Sequence, residues 1–76
     1  MDIAKLVRMA NQIGTFFQAM PDHAEALDGI ALHLQKFWEP RMRREFLGAL
    51  EAGHADTASL LPIVREAVQA RRAALK

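Results

Sequence analysis

Three prolines, Pro21, Pro40 and Pro62, constrain this chain more than any other feature, because each falls where a helix has to stop or start. Proline inside a helix removes a hydrogen bond and clashes with the preceding turn, whereas in the first turn it is well tolerated. Met20-Pro21-Asp22 therefore reads as a stop followed at once by a start, and Pro40 and Pro62 as first-turn residues of later helices. The pieces between them carry apolar residues at helical spacing, and much of the 51% hydrophobic content is alanine, a strong helix former. The expected fold is all-α, a small compact bundle of about four short helices. It forms a single domain over residues 1–76, with short connections between antiparallel neighbours.

The first helix is predicted from Asp2, as N-cap, to Ala19. Its stripe of Leu6, Ala10, Ile13 and Phe17 is widened by Met9, Phe16 and Met20. So wide an arc either touches two other helices of its own chain or, particularly at the adaptable Met9 and Met20, docks on another subunit. Lys5, Arg8, Asn11, Gln12, Thr15 and Gln18 form a solvated face on which Asn11 lies closest to the apolar boundary. Asp22 with Glu25 resembles a capping box opening the second helix, which turns Leu27, Ile30, Ala31, Leu34, Phe37 and Trp38 inward and leaves Leu32 outward. Gly29 reads either as room for a close backbone approach or as a tolerated helix glycine. The third helix runs from Pro40 to about Ala52 with Gly53 as its C′ residue, and Met42, Phe46, Ala49 and Leu50 form its inner stripe. A short loop, His54 to Asp56, precedes a fourth helix capped by Ser59. That helix carries Leu61, Val64, Val68 and Leu75 inward, and its C-terminal end is expected to fray.

The stretch His33 to Arg43 concentrates the functional signal. It holds the sole tryptophan and, beyond Pro40, Arg41 and Arg43, with Arg44 following. Cations at a helix N-terminus oppose the macrodipole. Glu45, four residues after Arg41, compensates part of this; a partner's carboxylates or phosphates are the functional alternative. His33 reads either as a half-buried boundary residue bonded to a carbonyl or, with Lys36, as the polar part of a binding corner. Phe37 and Trp38 fit a core as well as an interface, but tryptophan and arginine crowded at one corner favour an interface.

Catalytic patterns are missing from the sequence. His23, His33 and His54 are too far apart for helical metal pairs, Ser59 is the sole serine and has a capping role, and no Gly-rich phosphate loop occurs. There are no cysteines, so this chain supplies no thiolate ligands. Ten basic against nine acidic residues leave a net charge of +1, too small for a global field toward nucleic acid or acidic membranes. No signal-peptide layout and no apolar run of ~20 residues occurs, which predicts a cytoplasmic protein without membrane association. The arginines opening the third helix also allow a helix-turn-helix DNA-binding reading, weakened by the scarcity of turn residues before Pro40. A self-associating module, its broad first helix buried in a homodimer, is a further alternative.

The run Lys-Leu-Val-Arg-Met-Ala-Asn-Gln-Ile at 5–13 with Phe16-Phe17, then His33 to Arg43, then a Gly53-containing loop leading to Leu61-Pro62, closely resemble the delta subunit of bacterial NAD-dependent, molybdenum-containing formate dehydrogenase. Arg8 to Ile13 and Phe37-Trp38-x-Pro40-Arg41-Met42-Arg43 are the most specific parts. The loop from Gly53 to Ser59 and the tail beyond Val68 look less typical. The resemblance implies a small accessory subunit without a redox group. The complex would carry a molybdenum bis-guanine-dinucleotide cofactor in the large alpha subunit, with iron–sulfur clusters and FMN passing electrons to NAD. The large subunit is then the expected partner, met by His33, Lys36, Phe37, Trp38, Arg41, Arg43, Met9 and Asn11. In a bolder version Arg41, Arg43, His33 and Lys36 meet phosphates of the pyranopterin dinucleotide during its insertion.

Overall fold

A computed structural model describes residues 2–76. Helix α1 spans Ile3–Phe17, and its opening is set by the Asp2 carboxylate, which accepts from the Ala4 amide at 3.0 Å. Helix α2 spans His23–Phe37, opened in the same way by Asp22, whose Oδ1 accepts from the Glu25 amide at 3.2 Å. Trp38 and Glu39 are extended, as the residue before a proline prefers, and α3 follows over Pro40–Ala52. It closes on Gly53 at φ 69°, where a side chain would be strained, with the His54 amide reaching back to the Ala49 carbonyl at 3.0 Å.

Beyond Gly53 the chain departs from expectation. The segment expected as a loop is a 3₁₀ turn, Ala55–Ser59, capped by His54 Nδ1, which accepts from the Asp56 amide at 3.0 Å. Thr57 is buried there and its hydroxyl donates to the His54 carbonyl at 2.6 Å. Ser59 is not the N-cap of the next helix: it closes the turn, and extended Leu61 takes the cap position ahead of α4, Pro62–Ala70. The last helix breaks at Arg71 into α5, Arg72–Leu75. The expected fraying is not seen. Leu75 is 1% exposed, packed beside Leu34, Trp38, Phe46 and Leu47.

The four longer helices and α5 surround one core to which α1 contributes Leu6, Val7 and Ala10, α2 Ile30 and Leu34, α3 Phe46 and Leu47, and α4 Val64 and Val68. Each large side chain so buried is worth roughly 1.5–3 kcal/mol. Helix α1 is central, touching α2, α3, the 3₁₀ turn and α4. Gly14 permits its approach to α4: a Cβ there would lie 2.4 Å from Val64 Cγ2. Pairs Asp28–Arg71, His23–Glu66 and Glu51–Arg72 tie the last two helices to α2 and α3 at the surface. No helix among the described residues is long and apolar enough to cross a membrane.

Candidate functional site

The corner at Trp38 divides the residues expected to act together. Ile30, Leu34 and Trp38 succeed one another at four-residue steps, so all three point into the core. Trp38 is 5% exposed, its ring edge-on to Phe46 with centroids 5.3 Å apart. The expectation that Trp38 belongs to an interface with a partner does not fit this placement. Phe37 lies about 100° behind Trp38 around the helix and so faces out, 71% exposed, contrary to the expected inward side.

Arg43 turns back on its own chain as well. Its Nη1 donates to the carbonyls of Gln35 at 2.9 Å and Trp38 at 2.8 Å, satisfying the end of α2. Its Nε donates to the Leu75 carbonyl at 3.3 Å. With those donors spent, Arg43 secures α2 and α5 to α3 rather than offering a free fork to a partner or to phosphates. Asn11 departs in the same way from both its solvated face and its expected place in an interface. Its Nδ2 donates to the Ser59 carbonyl at 3.0 Å and its Oδ1 accepts from the Leu61 amide at 2.8 Å. One side-chain amide thus clamps the irregular segment before α4 onto α1, 50 residues away.

His33, Lys36 and Phe37 do come together, around a surface that α1 shares with α2. Phe16, Leu32 and Phe37 are the exposed large apolar side chains of the described residues, at 71%, 49% and 71%. All three border two adjoining clefts. One, of about 350 Å³, is lined by Gln12, Ile13, Phe16, Phe17 and His33. The other, of about 300 Å³, adds Gly29, Leu32, Lys36 and Phe37 to the shared Phe17 and His33. His33 lies against the Phe37 ring with centroids 4.8 Å apart, and Phe16 meets Phe17 edge-on at 5.0 Å. Gly29 does leave room, but for a ring rather than a backbone: a Cβ there would sit 2.4 Å from Phe17 Cε1. Met9 is half-buried and lines a third cleft, of about 370 Å³, with Lys5, Leu6, Met42 and Asp2. Arg41 stays exposed at the start of α3.

Phe16 was expected only as a widening of the α1 arc, and Leu32 only as an outward apolar exception; their meeting depends on how α1 crosses α2. The doublet Phe16-Phe17 held the available signal, since it adds two rings about 100° apart to an apolar arc already widened by Met9 and Met20. Such a surface can bind apolar side chains and orient them through His33, Lys36 and Gln12. It does not offer a metal site: among the described residues no group of three or more His, Cys, Asp or Glu can hold an ion.

Comparison with known proteins adds one finding. A family model described as the NADH-dependent formate dehydrogenase delta subunit FdsD matches residues 5–68. Neither curated proteins nor solved structures give a significant match.

Proposed function

This chain belongs to the family of NADH-dependent formate dehydrogenase delta subunits, and on that premise we propose that it is a non-catalytic accessory subunit, binding the large alpha subunit and supporting assembly, stability or cofactor retention. The observation that carries the reading is the family match over residues 5–68, which spans α1 to most of α4. The open aromatic surface between α1 and α2 agrees with it, because an exposed aromatic patch of a few hundred Å² often serves as a contact site. The chain has no cysteine thiolates, and among the described residues there is no grouped set of ligands. The molybdenum cofactor, iron–sulfur clusters, FMN and NAD of the complex would then reside in other subunits, in the cytoplasm. The role left to this chain is to bind and to hold.

Of the residues expected at the interface, Phe37, Lys36 and Arg41 are exposed and His33 and Met9 half-buried, whereas Trp38 is buried and the half-buried Arg43 and Asn11 hold hydrogen bonds within the chain. Affinity isolation of the tagged chain from cells growing on formate, at moderate salt and with molybdenum assayed, tests the proposal. The large subunit should co-purify, and cells lacking the chain should yield less intact or less metal-loaded enzyme. Recovery of the chain alone, or an unchanged enzyme in its absence, would overturn it.

A further inference from the structure

We propose that the side of α1 from Lys5 to Phe17 is a docking groove for an amphipathic helix of another formate dehydrogenase subunit, one whose apolar stripe is flanked by carboxylates. The inference rests on the accessory-subunit reading above and adds to it the contact face and the chemistry of the occupant.

Met9, Ile13 and Phe17 succeed one another at four-residue steps and form a half-buried ridge. The three clefts open along it, beside Met42 of α3 at one end and beside His33 of α2 at the other. From Lys5 to Phe17 the ridge and the clefts beside it run roughly 18 Å at about 1.5 Å per residue, the length of some three turns of a docked helix. The described secondary structure is helical throughout and presents no sheet edge to which an extended peptide can add. Recognition therefore falls to side chains seated in a groove.

The clefts are bordered by Lys5 and Lys36, with Gln12 and His33 between them, and by one carboxylate, Asp2, which caps α1 and keeps its charge beside Lys5. Three of the other acids, Asp28, Glu51 and Glu66, pair with basic side chains elsewhere on the surface. Two lysines against one carboxylate leave the border of these clefts slightly basic, with Lys36 at the α2 end facing no carboxylate among the lining residues. Carboxylates beside the partner's apolar stripe complement that border.

The exposed area separates a larger partner from a second copy. Phe16 and Phe37, each 71% open, leave roughly 250–350 Å² of ring surface uncovered if a whole phenylalanine side chain offers ~200 Å². Two such patches face to face bury well under the ~1,200 Å² of a stable interface and also bring like charges together. A larger subunit can reach beyond the patch onto both flanks of α1.

The test uses the complex, co-expressed with this chain tagged, in three forms: wild type, Phe16→Ala with Phe37→Ala, and Lys5→Glu with Lys36→Glu. The double alanine form should retain at least tenfold less large subunit while keeping the wild-type circular dichroism and unfolding midpoint. Wild-type retention should fall between 50 and 500 mM salt, and the charge-reversed form should lose retention already at low salt. Wild-type retention by the double alanine form would overturn the docking face and leave the accessory role standing, whereas a wild-type chain that retains no enzyme would take both down. Salt-insensitive retention would overturn the acidic flank. A concentration-dependent dimer of the isolated chain, dispersed by the double alanine change, would assign the groove to a second copy instead.

Discussion

Adjacent positions 37 and 38 carry opposite burdens. Trp38 is buried against Phe46 beside Leu75, so Trp38→Ala should cost about 3–5 kcal/mol, much of the stability of a domain this size. Phe37 touches His33 on one side and solvent on the other, and Phe37→Ala should leave stability within about 0.5 kcal/mol of wild type. Urea unfolding of the two variants checks this. A large loss at Phe37 would mean that its ring belongs to the fold rather than to a partner's surface. The contrast also decides which substitution can probe binding: a complex weakened by Trp38→Ala reports unfolding, whereas one weakened by Phe37→Ala reports contact.

The helices meet at different tolerances, and three glycines grade them. Gly48 sits on the open face of α3 with nothing within 4 Å of a built Cβ, so Gly48→Ala should stabilise by about 0.5–1 kcal/mol through helix propensity alone. At Gly14 the same change meets Val64 Cγ2 at 2.4 Å. Val64 is fully buried and stiff at χ1, so α1 and α4 must separate, and a loss of about 1–3 kcal/mol is expected. Gly29→Ala meets only the Phe17 ring, which is half-buried and borders an open cleft, so it should fall between the two. Thermal unfolding of the set should give the order Gly48→Ala, wild type, Gly29→Ala, Gly14→Ala from most to least stable. Gly14→Ala matching wild type would show that the α1–α4 contact is looser than its geometry implies.

Closure of the whole molecule depends on its last few residues. Leu75 is 1% exposed, its carbonyl is held by Arg43, and Arg71 and Arg72 pair with Asp28 and Glu51. Those exposed pairs contribute only ~0–1 kcal/mol each, so the apolar contact is what matters most. Removing residues 71–76 should uncover Trp38, move its fluorescence to the red and lower the unfolding midpoint by several degrees. An unchanged emission would show that the core closes without α5. The family match ends at residue 68, so this closing segment lies outside the matched region.

The sequence by itself determined where α1, α2 and α3 begin, where α3 ends and which proline opens α4. Asp2 and Asp22 cap, Pro40 and Pro62 open, and Gly53 closes because each acts on its own φ and ψ or on an amide two or three residues away. It also carried the family, whose motifs are contiguous runs. Ser59 misled because a serine ahead of a helix looks the same whether it caps that helix or closes a turn. Only the tertiary structure decided which apolar residues became core and which became surface. Asn11 found its partners 48 and 50 residues on, Arg43 spanned two helix ends, and the crossing of α1 with α2 left Phe16, Leu32 and Phe37 on one open face. A helical period fixes the angle at which a side chain leaves its helix; what stands there to meet it is set by packing among segments far apart in the chain.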